Sequence, residues 1–166
     1  MIAVFFMSAN AIFHPLRALV RPCLAIVFLM PFLLGAPLGA VTEDEEEAEK
    51  AVALLMHPLE KSGFDFRADV WERELKPDLG KAVRLQLFKG NDYRVCIGVA
   101  EKSGVKIEAH VLDASGERVE TKNDNHGSSV VLSLKPARTG VYVVTINEAS
   151  TGKQKVVTCA MIMGYK

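Results

Sequence analysis

The sequence predicts an all-β fold: an antiparallel β-sandwich or jelly roll of seven or eight strands, preceded by a signal peptide and one short amphipathic helix. Three observations carry this expectation. Apolar and polar residues alternate in short runs from Val83 to Ile162. Gly, Pro, Asn and Asp punctuate those runs at roughly the 8–12-residue spacing of sandwich strands. No long helical segment is available to cover the faces of a parallel sheet. The expected organisation is residues 1–40 as signal peptide, 41–62 as a helix packing on the domain, and 63–166 as the sandwich.

The leader is read from charge and hydropathy together. Residues 23–41 carry no charge, and their most apolar part, Cys23 to Leu34, follows Arg17 and Arg21. A basic flank, a short apolar core and the small-residue exit Gly35-Ala36-Pro37-Leu38-Gly39-Ala40 are the parts of a secretory signal peptide, with cleavage expected after Ala40. The acidic run from Glu43 to Glu47 beyond it orients the N-terminus toward the cytoplasm. An uncleaved membrane anchor is the alternative, because this neutral stretch just reaches the length of a bilayer span. Pro31, Pro37 and the shortness of the apolar core count against it. Both routes place the domain outside the cytoplasm, in the periplasm or secreted.

Charge narrows the function classes. The 166 residues hold 20 basic and 20 acidic side chains. Only Arg17 and Arg21 lie in the first 40, so 18 bases face 20 acids in the remainder, a formal charge of −2. That balance gives no electrostatic basis for nucleic-acid binding or for a polybasic membrane contact.

Thr42 and Glu45 have the spacing of a capping box, and the acids at 43–47 suit the positive end of a helix dipole. Ala48, Val52, Leu55 and Leu59 recur at helical steps with Ala51 beside them, predicting an amphipathic helix from about Glu43 to Met56. Pro58 is expected to end or kink it at His57. Phe64, Phe66, Ala68 and Val70 then alternate as an edge strand, and Pro77, Asp78 and Gly80 turn the chain. Further strands are expected at Val83–Phe88, Tyr93–Val99 and Val105–Leu112. Glu117–Lys122 can return as a polar strand, while Asn123–Gly127 reads as a loop by composition. Val130–Leu134, Val141–Ile146 and Gln154–Ile162 complete the set.

Cys96 and Cys159 both fall in these runs, in a compartment where disulfides persist. A bond between them would close a loop of 64 residues, worth about 4 kcal/mol by chain entropy. Two buried, unbonded thiols are the alternative. Neither cysteine has a CxxC partner or a neighbouring histidine to support redox or nucleophilic chemistry.

Three segments together resemble the bacterial pre-peptidase C-terminal domain. They are Lys89-Gly90-Asn91-Asp92-Tyr93-Arg94-Val95, then Val111-Leu112-Asp113-Ala114-Ser115-Gly116-Glu117-Arg118-Val119, and finally Val130 to Val144 with its Pro136, Gly140 and Tyr142. The second is similar to the family's "L-x-D-x-x-G-x-x-V" hairpin, and the third to its "F-x-P-x-x-T/S-G-x-Y-x-V-x-V" ending. The resemblance covers roughly Gly80 to Ile162 and implies a secreted β-sandwich module. Some related modules bind collagen or calcium. Here Gly104 to His110 replaces the family's acidic strand, and within these residues only a short helix and an aromatic stretch are expected between the leader and the module, so those activities are not carried over.

Candidate sites are few. His57 adjoins a helix end, and His110 shares a strand with Lys106 and Glu108 and reads as solvated. The loop Asn123-Asp124-Asn125-His126-Gly127, with Asp113, offers oxygen ligands compatible with calcium, although the same residues are those of an ordinary turn. Ser128 and Ser129 follow His126 without a G-x-S-x-G elbow, and no zinc, phosphate or dinucleotide motif occurs. Catalytic residues and cofactors are therefore expected to be none. Phe64, Phe66 and Trp71, with Phe88, form an aromatic-rich region that either receives the helix or serves as a binding surface anchored on Trp71. The expected function is a non-catalytic exported protein with a structural or protein- or glycan-binding role in the bacterial envelope. A calcium-dependent adhesion module is the alternative, and a secreted hydrolase the third reading.

Overall fold

The computed structural model describes residues 42–149 and 156–166. The expected signal peptide, its cleavage site and the anchor alternative lie outside these residues, as does the start of the last expected strand at Gln154. Among the described residues no helix is long and apolar enough to cross a membrane.

The chain enters through helix α1, Glu43–Lys61. Its start is the expected capping box: Glu45 N donates to Thr42 Oγ1 at 3.3 Å and Thr42 N donates to Glu45 Oε2 at 2.7 Å. Its end differs from expectation, because the helix runs through Pro58 and stops only at Ser62. The hydrogen bond that Pro58 forgoes would have gone to the carbonyl of Leu54, whose residue is 77% exposed, so water can replace the missing donor.

Among the described residues nine strands follow in two antiparallel sheets, which establishes the all-β sandwich. They are β1 (Asp65–Phe66), β2 (Trp71–Leu75), β3 (Lys81–Leu87), β4 (Tyr93–Val99), β5 (Ile107–Leu112), β6 (Lys122–Asn125), β7 (Ser129–Leu134), β8 (Gly140–Glu148) and β9 (Val157–Tyr165). The larger sheet runs β1-β9-β4-β7-β6, with β2 pairing the same edge of β9 as β1; the smaller is β3-β8-β5. The expected edge strand at 64–70 is instead interrupted: Ala68 and Val70 are exposed, and pairing resumes at Trp71.

The core lies between the sheets. Tyr93, Val95, Ile97 and Val99 point inward from β4, as their spacing predicts. They meet Val130, Leu132 and Leu134 of β7, Cys159, Met161 and Met163 of β9, and Tyr142, Val144 and Ile146 of β8. Burying a side chain of this size contributes about 1.5–3 kcal/mol. Two tyrosines hydrogen-bond at one end of this layer, where β3 finishes and β8 starts. Tyr142 Oη donates to the Arg138 carbonyl at 2.9 Å, while Tyr93 Oη accepts from Phe88 N at 3.0 Å and from Asn91 Nδ2 at 3.2 Å.

The segment after β5 corrects the expectation in two places. The turn at Asp113–Gly116 forms as expected, with Asp113 Oδ1 accepting from Ser115 N and Glu117 N. The polar return strand from Glu117 does not: only Arg118 bridges Leu112, and Val119 N donates to Val111 O. The chain then crosses to the larger sheet, where Lys122–Asn125, of which Asn123–Asn125 were expected as loop, pairs with β7 from Ser133 to Val130. All four of these residues are exposed. An edge strand with no buried side chain shows no apolar alternation, so backbone pairing is all that defines it.

Candidate functional site

The outer face of the larger sheet is apolar only along its middle, and there α1 packs. Ala48 and Val52 are buried against Cys96, Val131, Ala160 and Ile162, with Leu55, Met56, Leu59 and Phe66 around them. Gly98 lets the helix approach, since a Cβ there would sit 3.0 Å from Ala51 Cβ. Toward β7 and β6 the helix no longer covers the sheet, and a groove opens. Its α1 wall is Leu54, Leu55, Pro58 and Leu59; its floor is Val131 and Ser133; Arg94, Lys122, Asp124 and His126 supply the polar side. This part has a volume of about 510 Å³. It continues along the helix into a second part of about 410 Å³ that shares Leu54 and Leu55 and ends at Lys102, Ser128 and Ser129.

The charges around the groove are largely paired. Arg94 forms an ion pair with Asp92, which Lys135 also approaches at 3.6 Å. The Arg94 guanidinium lies 4.5 Å from the centre of the Phe64 ring and Lys166 Nζ 4.8 Å from the same centre, a cation–π arrangement on a buried phenylalanine. His126 Nε2 is 3.4 Å from Asp124 Oδ2. At the far end Lys102 bridges Glu43 and Glu47 at 2.9 Å each and Asp44 at 3.6 Å. Those hydrogen bonds raise the Lys102 pKa and lower that of Glu43. Lys122 has no ion-pair partner among the described residues.

The sequence-based candidates are dispersed. Phe64 is 5% exposed, and Phe66 packs with the helix-side cluster, covering Gly164, whose Cβ would lie 2.8 Å from its ring. Trp71 sits on the other face of the sheet, against the inner core and opposite Met161. These three rings therefore do not share a surface. His57 is on α1 near Glu60, and Ser128 and Ser129 lie at the end of the groove. His110 is not solvated as expected: its side chain is 20% exposed, Nε2 lies 3.0 Å from Glu108 Oε1, and Nδ1 is buried. The Asp113 carboxylate serves its own turn, and of the loop Asn123–Gly127, weighed as calcium-compatible or an ordinary turn, Asn123–Asn125 are in strand β6. Among the described residues no group of three or more His, Cys, Asp or Glu is gathered to hold a metal.

Cys96 and Cys159 are both buried and unbonded, which corrects the disulfide expectation. The register explains why. Cys96 pairs with Ile162 and faces α1, whereas Cys159 pairs with Val99 and faces the inner core. They lie three residues apart along the ladder, about 10 Å, on opposite faces. A disulfide needs Cα atoms within about 7 Å.

Two features escaped sequence reasoning. Leu54 and Pro58 lie off the stripe of Ala48, Val52, Leu55 and Leu59, so periodicity marks them as solvent-facing without indicating a groove wall. The second feature is a smaller cleft of about 300 Å³, lined by Arg67, Phe88, Asn91, Tyr93 and Tyr165. Its members come from three separate stretches of chain, at Arg67, Phe88–Tyr93 and Tyr165, which no local pattern brings together. No family model and no curated protein matches this chain.

Proposed function

We propose that this chain is an exported, non-catalytic β-sandwich protein of the bacterial envelope, and that it binds a partner protein in the groove between α1 and the β6–β7 edge. The observation that carries the reading is the pairing of that groove with an open edge strand. His126 N donates to Ser129 O at 2.8 Å, so His126, Asp124 and Lys122 direct their backbone groups toward β7. By antiparallel alternation the N–H and C=O of Asn123 and Asn125 point away from β7, toward the free edge. An extended peptide added there gains main-chain hydrogen bonds, and its side chains on the helix side meet the apolar wall of Leu54, Leu55, Pro58 and Leu59. The basic flank, apolar core and small-residue exit of residues 1–40 support export. The resemblance to pre-peptidase C-terminal domains supports a secreted accessory module.

The test compares capture of envelope proteins by the full chain and by two variants. Asn123→Pro removes an edge donor that β7 does not use, and Leu54→Glu places a charge on the groove wall. A partner held by the wild type and lost by both variants, with unchanged circular dichroism, is the expected outcome. Equal capture by all three would sink the groove as the binding site.

A further inference from the structure

We propose that the cleft at the Tyr93 end of the sandwich binds a pyranose ring that carries a carboxylate. The cleft shares none of its lining residues with the α1 groove, so this inference goes beyond the protein-binding reading and stands or falls separately. Its walls are rings. Phe88 is 51% exposed and Tyr165 41% exposed, while buried Tyr93 forms the back, its ring centre 6.2 Å from that of Tyr165. Exposed aromatic faces that border one cavity present an apolar platform, and the axial C–H faces of a sugar ring are apolar in the same way.

The polar groups narrow the ligand. Arg67 is held beside β9 by its backbone N, which donates to Met163 O at 3.2 Å. Its guanidinium has no ion-pair partner among the described residues, although Asp65 and Asp69 are close in sequence. An arginine without an ion-pair partner that lines the same cleft as aromatic rings is suited to a carboxylate, which a guanidinium holds through two parallel hydrogen bonds. Asn91 donates its Nδ2 to Tyr93 Oη at 3.2 Å, which orients the amide and leaves Oδ1 as an acceptor. The Tyr165 hydroxyl adds a second group that both donates and accepts. A plain hydrocarbon would bury these groups unpaired. An aromatic acid would use Arg67 and the rings but would supply no hydroxyl for Asn91 Oδ1. A polyhydroxylated ring with one carboxylate satisfies all of them, and about 300 Å³ accommodates one such ring.

The experiment is an NMR titration of the isotope-labelled full chain with sodium glucuronate, glucose and benzoate in parallel. Glucuronate is expected to shift the amides of Arg67, Asn91 and Tyr165 saturably, binding at least about fivefold more tightly than glucose or benzoate and more weakly in high salt. Arg67→Gln should bring glucuronate down to the level of glucose while leaving glucose unchanged, and Phe88→Ala should weaken both. Both side chains are exposed, and each variant's spectrum reports whether the fold is intact. The proposal is overturned by absence of saturable shifts at the cleft, by glucose or benzoate binding as tightly as glucuronate, or by Arg67→Gln without effect. Glucuronate shifts confined to Val131 and Ser133 would also overturn it, and would leave the groove reading in place.

Discussion

Gly98 shows how one missing side chain positions an element. A Cβ there would lie 3.0 Å from Ala51 Cβ and 3.3 Å from Val52 Cγ2, and both atoms belong to the helix. No flexible side chain can swing aside, so α1 itself would have to move. Gly98→Val is expected to cost about 1–3 kcal/mol, read as a lower urea midpoint at unchanged slope. A wild-type midpoint would mean that α1 is not seated on β4. The thiols illustrate the opposite case, in which a residue is defined by being enclosed. Burial pushes both Cys96 and Cys159 up from 9.0 to about 12, with the charge of Arg94 partly opposing this at Cys96. At pH 8 both should resist iodoacetamide in the folded chain and react once urea unfolds it, as read by peptide mass spectrometry. Between about pH 9 and 12 the unfolded chain gives up these protons and the folded chain keeps them, so stability falls as pH rises through that window. Rapid native labelling of either cysteine would contradict the burial.

At the scale of elements, the seam between α1 and β2 carries an unfavourable charge arrangement. Glu72 pairs with Ala160, whose side chain lies under the helix, so Glu72 shares that face with Glu45 and Glu49. Its pKa is raised first by burial and then by the charges of Glu49 and Glu45. A carboxyl whose folded pKa is raised costs the folded state most when ionised and nothing once both states are protonated. Glu72→Gln is therefore expected to raise the melting temperature at pH 7, with a gain that shrinks as pH approaches 4. A gain independent of pH would assign the effect to packing alone. The helix start was readable from Thr42 and Glu45 because capping is local chemistry. Its end was not, because whether Pro58 terminates a helix depends on whether Leu54 faces solvent or protein. The same distinction separates β4 from β6. The first announces itself by alternation, whereas the second has no buried face and exists through its ladder with β7.

At the scale of the described domain, residues 42–149 and 156–166 form three layers: a three-stranded sheet, a six-stranded sheet and a helix on its outer face. β4 and β9 are paired on both edges and buried on both faces. Amide exchange is expected to be slowest in these two strands and fastest in Lys122–Asn125, where one edge and every side chain are open. A β6 as protected as β9 in the isolated chain would mean that its edge is already covered, which would also remove the basis for strand addition.

Taken alone, the sequence determined the class of fold, the position of most strands, the turn at Asp113–Gly116 and the inward face of β4. Each of these follows from periods and turn chemistry within a few residues. Only the tertiary structure decided that Cys96 and Cys159 face opposite layers, that Phe66 and Trp71 are divided by a sheet, and that Arg67, Phe88, Asn91 and Tyr165 border one cleft. The reason is register. A strand's neighbours come from distant parts of the chain, and a displacement of one residue along the ladder would exchange every inward side chain for an outward one.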